Sequence, residues 1–401
     1  MGKKVKYLNF KTKAYSFNFF LSSLLIISGI LSLLFLLLKN EIAVDNRYYR
    51  SFRAIDLYQS AFNYALSLNA SIDTNFIFQD LQISNELVEV SIIPWASYYV
   101  LNLNFPDSSL VKFNRSFLIN PQLLSGSASP TLYLADNQIS INVLEDVQLS
   151  GSIFVPDAKM NNITDDLNSK VNLHQSTPTL PLLRPELEIL KEYTPIPKDN
   201  RVKLLNTSEQ RVKNSFREAT LILYCNGMDT LKNMDLSNNI ILISERHIVI
   251  DKSCQLDNII VHAPTIEVLD NFKGQAHFIV QDSIRFGKNL KLSNSSIVIS
   301  NPQKKGIHFK DHSEISGNVI VFQNTENLNP LVISDRLTTF TGQMYVEGAI
   351  NLMGHFSASV IATSTLTFNS QKIMGNSLRN LSIEPFWDGS SLTRYTQLRE
   401  H

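Results

Sequence analysis

Asp251 and Asp270 are the residues of this chain whose type and spacing come nearest to chemistry. They lie 19 residues apart, with Asn289 a further 19 on. If the chain winds with that period, the three side chains form one ladder on successive turns. Two stacked carboxylates and an amide could hold a hard cation such as calcium, which prefers oxygen ligands. With a basic residue beside them, they could also supply the acid and base of glycan cleavage. Asp and Asn are equally the residues that a turn after a strand prefers, and this turn reading is the stronger one. Asp282 shares its phase with Ala263 and Asn301 and extends no cluster. His247, His262, His277 and His308 fall at different phases, so they build no ligand ladder and read as surface or turn residues. Glu267 and Arg285, 18 apart, are expected to face one another on neighbouring strands, an exposed pair contributing at most about 1 kcal/mol. The chain has no GxGxxG, P-loop, GxSxG or HExxH pattern. Cys225 and Cys254 also differ in phase and read as packed thiols rather than a disulfide or zinc site. The expectation is a chain without catalytic residues, without a cofactor and, apart from the candidate pair Asp251 and Asp270, without a metal site.

What would position these residues is a repeat. Apolar triplets are centred on Ile222, Ile241, Ile260, Ile279 and Val298, each 19 residues after the last, and continue at wider intervals at Ile320, Tyr345 and Ile361. Most follow an apolar residue and a small polar run, as in Leu236-Ser-Asn-Asn, Leu292-Ser-Asn-Ser and Ile315-Ser-Gly-Asn. A fixed period in this range marks a solenoid, whose coils bury a core only by stacking on one another. Second strands are expected at His247–Ile250, Thr265–Val268, Ser283–Phe286 and Gly306–Phe309, and an apolar corner at Phe272, Leu290, Ile315, Phe340 and Phe356. The fold class that follows is mainly β. A parallel β-helix of seven or eight coils of about 19 residues has Ile260 and Ile279 stacked inside successive coils.

Outside the repeat, Phe17 to Leu38 is a 22-residue stretch without a charge. At about 1.5 Å per residue it spans the ~30 Å hydrocarbon core of a bilayer. No small-x-small cleavage site follows it, so it reads as an uncleaved transmembrane helix. Lys3, Lys4, Lys6, Lys11 and Lys13 precede it, against Lys39, Arg47, Arg50 and Arg53 after it. That bias places the N-terminus in the cytoplasm. Phe52, Ile55, Tyr58 or Gln59, Phe62 and Leu66 then recur at helical spacing, while 76–119 alternates with period two.

The expected organisation is therefore a cytoplasmic N-terminus (1–16), a transmembrane helix (17–38), a membrane-proximal helix (39–70) and a small β unit (71–130). First solenoid coils (131–156), a Pro-rich insert (157–218), the parallel β-helix (219–370) and a C-terminal cap (371–401) follow. Within the insert, a short helix is expected at Glu186–Glu192 and a second at Ser208–Arg217; Phe386 and Trp387 are expected to cap the last coil. With 36 basic and 36 acidic residues, the chain offers no electrostatic case for nucleic acid.

The repeat over about 220–370 resembles the parallel β-helix of the bactofilins, polymer-forming bacterial cytoskeletal proteins. Over most of its length the chain also resembles a group of uncharacterised single-pass bacterial envelope proteins. The landmarks are Leu132-Tyr-Leu-Ala-Asp136, Gly151 with Pro156, Thr179-Leu-Pro181, Asn214-Ser-Phe216 and Phe272-Lys-Gly274. These resemblances imply a β-helix presented outside the cytoplasm, with no catalytic residues to carry over. The long membrane-proximal region and the Pro-rich insert depart from bactofilins. The expected function is a membrane-anchored, non-enzymatic structural or interaction protein of the bacterial envelope, in the inner membrane with its C-terminal region periplasmic. Its expected partners are the lipid bilayer, further copies of itself or other envelope proteins. The alternatives are a minor pilin or pseudopilin, whose leader site and early Glu are missing here, and a β-helix enzyme or binding protein acting on surface polysaccharide.

Overall fold

The computed structural model describes residues 8–69, 79–83, 86–104, 115–125, 129–163, 165–193, 201–205, 210–225, 230–302, 306–323, 329–369, 372–386 and 394–398. It is mainly β and divides into two compact units. The first comprises Met1–Ala70, Asp80–Glu89 and Leu103–Phe113. Its dominant element is one 62-residue helix, Leu8–Asn69. Leu, Ile and Phe fill its N-terminal half, with no proline to break it. Phe17–Tyr49 is long and apolar enough to cross a membrane, and its apolar window has no buried residue. On the same helix Phe52 and Ile55 are exposed and Phe62 is buried; the Tyr58 and Leu66 side chains lie outside the described residues.

The second unit, Ser71–Gln79, Val90–Asn102 and Asn114–His401, holds the solenoid, about 10 turns at a spacing of about 20 residues. Each full coil lays down three strands. One row of parallel strands runs through Leu221–Tyr224, Ile240–Ile243, the middle of Gln255–Val268 and of Lys273–Phe286, and the end of Lys291–Ile299. The second row includes Ile248–Ile250 and Ile307–Phe309, and the third Asp235–Asn238 and Glu314–Ser316. The expected second strands and the Phe272, Leu290, Ile315, Phe340 and Phe356 corner are all present, the corner fully inside. Phe286, Phe309, Phe340 and Phe356 succeed one another up that interior at centroid separations of 5.5, 6.5 and 5.8 Å.

The small polar runs are corners between the third and first rows. Asn238, Asn258 and Asn294 have φ of 69°, 56° and 47°, and Gly317 and Gly342 take over at the same place with φ of 146° and 147°. Asn tolerates the left-handed region and Gly favours it. At Gly317 a Cβ would also run into the Ser295 carbonyl.

Two expectations about phase are corrected. The triplet centres Ile222, Ile241, Ile260, Ile279, Val298, Ile320, Tyr345 and Ile361 point out of the solenoid, and their neighbours, such as Ile240, Leu242, Val261, Phe278 and Ile297, fill it. Successive strand residues face opposite sides, so one triplet supplies both layers. Nor does Ile260 stack on Ile279: it pairs with His277, because a register shift after Asp257 shortens the coil there, and the shift after Ala263 restores the residue. His277 in turn pairs with Ser296, then Asn318, Gln343 and Ser359.

Chain order and stacking order also differ. Leu132–Leu134 stacks on Val360–Ala362, and Val147–Leu149 stacks on Leu381–Ile383. Gly151–Val155 and then Val171–Gln175 follow. Segment 131–156 therefore supplies coils, as expected, but they continue the solenoid beyond its last C-terminal coil instead of opening it. From there residues 176–193 return along the outside, and Arg201–Leu204 and Arg211–Asn214 form the opposite end, pairing with Leu221–Tyr224 and Asp235–Asn238. Arg211–Asn214 is a strand where the sequence suggests a helix, because Val212 is recruited to stack on Leu236. The short helix is present as Pro185–Glu188 followed by a 3-10 turn, Ile189–Glu192. The expected C-terminal cap is divided. Leu381–Glu384 is a coil strand, Phe386 is buried, Trp387 lies outside the described residues, and Arg394–Gln397 pairs antiparallel with Phe117–Asn120 of the small β sheet.

Candidate functional site

The outward side of the first row is not free for chemistry, because two segments of the same unit cover it. The hairpin turn at Ala96 and Ser97 and the chain after it lie along the polar ladder. Trp95 Nε1 donates to the Asn258 carbonyl (2.7 Å), and Ser97 N donates to Ser296 Oγ (3.3 Å). Asn318 Nδ2 donates to Asn120 Oδ1 (2.8 Å), and Gln343 bonds both ways, accepting from Leu123 N and donating to the Pro121 carbonyl (2.9 Å each). Residues 176–193 lie along the adjacent apolar ladder. Leu183, Leu187 and Leu190 join the cluster of Ile279, Val298, Ile320 and Tyr345. Lys191 pairs with Glu347 at 3.2 Å and sits 4.9 Å above the Phe322 ring, and Tyr193 meets the His262 ring edge-on.

This cover corrects the surface reading for His277 and His262, whereas His247 is exposed and His308 partly so, as that reading expects. His277 is fully buried against the Tyr98 ring (5.3 Å), and neither of its ring nitrogens has a hydrogen-bond partner. Burial pulls its pKa down to about 3, so the imidazole is neutral. His262 is lowered for the same reason. Cys225 and Cys254 are free thiols, and burial pushes Cys225 up to about 12.

The outward side of the second row is open, and it gathers the candidate residues. Here Val249, Glu267, Arg285, His308 and Ile333 form one register ladder, so Glu267 and Arg285 are the neighbours that the sequence suggests. The coil at this point is 18 residues, not 19: Ile250 pairs with Val268 and Val268 with Phe286. Asp251 is consequently level with Leu269, and Asp270 lies one position out of step with it. The stacked amides are instead Asn271 and Asn289, joined at 3.2 Å. Each carboxylate is engaged by a turn, Asp251 by its own and Asp270 by that of the next coil. Asp251 Oδ1 accepts from Ser253 Oγ (2.7 Å) and Ser253 N (2.9 Å), which holds its pKa below the usual value. Asp270 Oδ1 accepts from Lys288 N at 2.7 Å.

Asp251 and Asp270 nevertheless line one cleft of about 610 Å³, together with Glu267, Arg285 and Lys310. A second cleft of about 500 Å³ adjoins it and shares Arg285, Phe286 and Lys310. Ser283, His308, Asn329, Pro330 and Ile333 are also on its wall. The first is of mixed charge; the second has cationic side chains and no carboxylate on its lining. Among the described residues, no group of three or more His, Cys, Asp and Glu side chains is arranged to hold a metal ion. Lys310 and Asn329 carry no sequence signal, since the intervals around them depart from the regular period.

No protein-family model, curated protein or solved structure matches the chain.

Proposed function

We propose that this chain is a membrane-anchored, non-enzymatic structural or interaction protein of the bacterial envelope, held in the inner membrane by its N-terminal helix with the solenoid in the periplasm. The observation that carries the reading is the Phe17–Tyr49 segment, whose first 22 residues, Phe17–Leu38, carry no charge, joined to a folded solenoid chain. Apolar surface left in water costs about 25 cal/mol per Å², and at about 1.5 Å per residue this segment exceeds a ~30 Å hydrocarbon core. Lipid is the environment that removes the cost. The five N-terminal lysines support the orientation, and the resemblance to single-pass envelope proteins supports the compartment. A stacked solenoid offers an extended surface for partners.

The non-enzymatic part of the reading rests on how the candidate carboxylates are used. Asp251 and Asp270 each commit an oxygen to a turn backbone. Asp251 is held below the usual carboxylate value by its Ser253 bonds, the opposite of what a general acid would need.

Reporter fusions after Lys39 and after the C-terminus test the orientation: the C-terminal reporter is expected to be active only outside the cytoplasm. Cytoplasmic activity there would overturn it. Alkaline carbonate should leave the full chain in the membrane pellet, and its release would overturn the anchor. If a glycan-cleaving activity were measured and Asp251→Asn with Asp270→Asn abolished it, the non-enzymatic reading would fall.

A further inference from the structure

The open second-row ladder distributes its charges unevenly. Glu267 leans toward one neighbour, with Oε2 3.7 Å from His247 Nε2. His308 leans the other way, with Nε2 3.0 Å from Asp335 Oδ1. Arg285 stands between them in the ladder and, like Lys310, forms no ion pair with a carboxylate among the described residues. The guanidinium and the ammonium line the same 500 Å³ cleft, whose lining has no carboxylate. Clefts of this volume are in the range that small ligands occupy. Two cations without an ion-pair partner in a concave wall attract an anionic group, and the planar guanidinium suits a carboxylate through two parallel hydrogen bonds.

The rest of the lining narrows the ligand. Ser283 places a hydroxyl on the wall and Asn329 and His308 further polar groups, chemistry suited to neutral hydroxyls. Pro330 and Ile333 form an aliphatic wall, and the Phe286 ring is buried in the coil interior, which leaves the His308 imidazole, held by Asp335, as the aromatic ring on the open lining. Beyond Arg285 the lining turns acidic at Glu267, Asp270 and Asp251. A continuous polyanion would be repelled there, whereas sugar hydroxyls would find acceptors.

We propose that this pair of clefts binds an acidic saccharide, its carboxylate held by Arg285 and Lys310 and a neighbouring neutral sugar lying over the Glu267 and Asp270 side. The site goes beyond the scaffold reading and does not depend on it, since neither cleft involves the membrane helix. A solenoid that also held acidic glycan would tether that polymer to its anchor.

The test uses the full chain in detergent micelles, titrated calorimetrically with an oligosaccharide of alternating uronic acid and N-acetylhexosamine. A neutral oligosaccharide of equal length, inorganic polyphosphate and single-stranded DNA are the comparison probes. Saturable uronate binding is expected, falling with added salt, and at least about tenfold weaker for the neutral probe. Loss of a charge-assisted bond should make Arg285→Gln and Lys310→Gln each weaken binding by about tenfold or more, with unchanged denaturation midpoints. Lys273→Gln, exposed and outside both clefts, should bind like the native chain. Absence of uronate binding, native affinity in Arg285→Gln, or tighter binding of polyphosphate or DNA would each overturn the proposal. None of these results bears on the reporter fusions, so the topology and the cleft can fail separately.

Discussion

The first and second strand rows of one solenoid present outward ladders of opposite character. On the first row, Ile279, Val298, Ile320 and Ile361 point outward and are buried, because the chain itself returns to cover them. On the second, Glu267, Arg285 and His308 point outward and remain partly or fully accessible. The same coil backbone carries both. What differs is whether a distant segment supplies a second layer, as in any sheet packed on both faces. An apolar outward ladder with a cover behaves as core, and a charged one without it is left available for ligands.

The sharpest way to break this comparison is to treat the covered ladder as surface. Ile320→Ala is expected to destabilise the second unit by about 2–5 kcal/mol, as for an interior site. Glu267→Ala on the open ladder should stay within about 0.5 kcal/mol. Denaturant unfolding of the two variants decides it, and equal losses would mean that the cover does not pack as described.

Acid probes the same cover at its polar edge. His277 is held neutral in the folded state, with its pKa lowered from 6.5 to about 3. The unfolded chain therefore binds more protons between those values. The stability involved is fully present above the unfolded pKa and is lost as pH falls through the window toward 3. At pH 5 the loss is about 2 kcal/mol. His277→Leu should abolish that part of the acid sensitivity and, by removing two unpartnered buried nitrogens, should not destabilise the protein at pH 7. Denaturation midpoints measured at pH 7 and pH 5 for both chains provide the check.

The smallest effect belongs to the strap over the apolar ladder. Lys191 contributes a partly exposed ion pair and a contact with the Phe322 ring, together about 1 kcal/mol. Lys191→Ala should speed limited proteolysis between 176 and 193 and leave the cleavage rate within 255–299 unchanged. Equal acceleration at both places would show that strap and coils open as one body.

The strands themselves were legible because each apolar triplet and each small polar run is local. Asn238, Asn258 and Asn294 mark corners through their own backbone preference, with no help from the rest of the chain. The candidate carboxylates were half legible. Asp251 and Asp270 do share a cleft, but a single dropped residue per turn puts them out of step, and that slip has no local signature.

Composition and periodicity alone therefore determined a long apolar helix, a parallel solenoid, two of the three strands of its coil and the apolar corner that the third strand carries, since these follow from side-chain pattern and backbone preference at short range. Tertiary structure alone decided the rest. A triplet such as Ile259-Ile260-Val261 is apolar on both faces, so only the arrival of Trp95 and the hairpin tells which face is interior and which is covered. Likewise Ile361 pairs with Tyr133 across more than half the chain. Parallel stacking needs only compatible strand edges, and any coil in register satisfies it, so the order in which coils stack is chosen by the global path and not by the period.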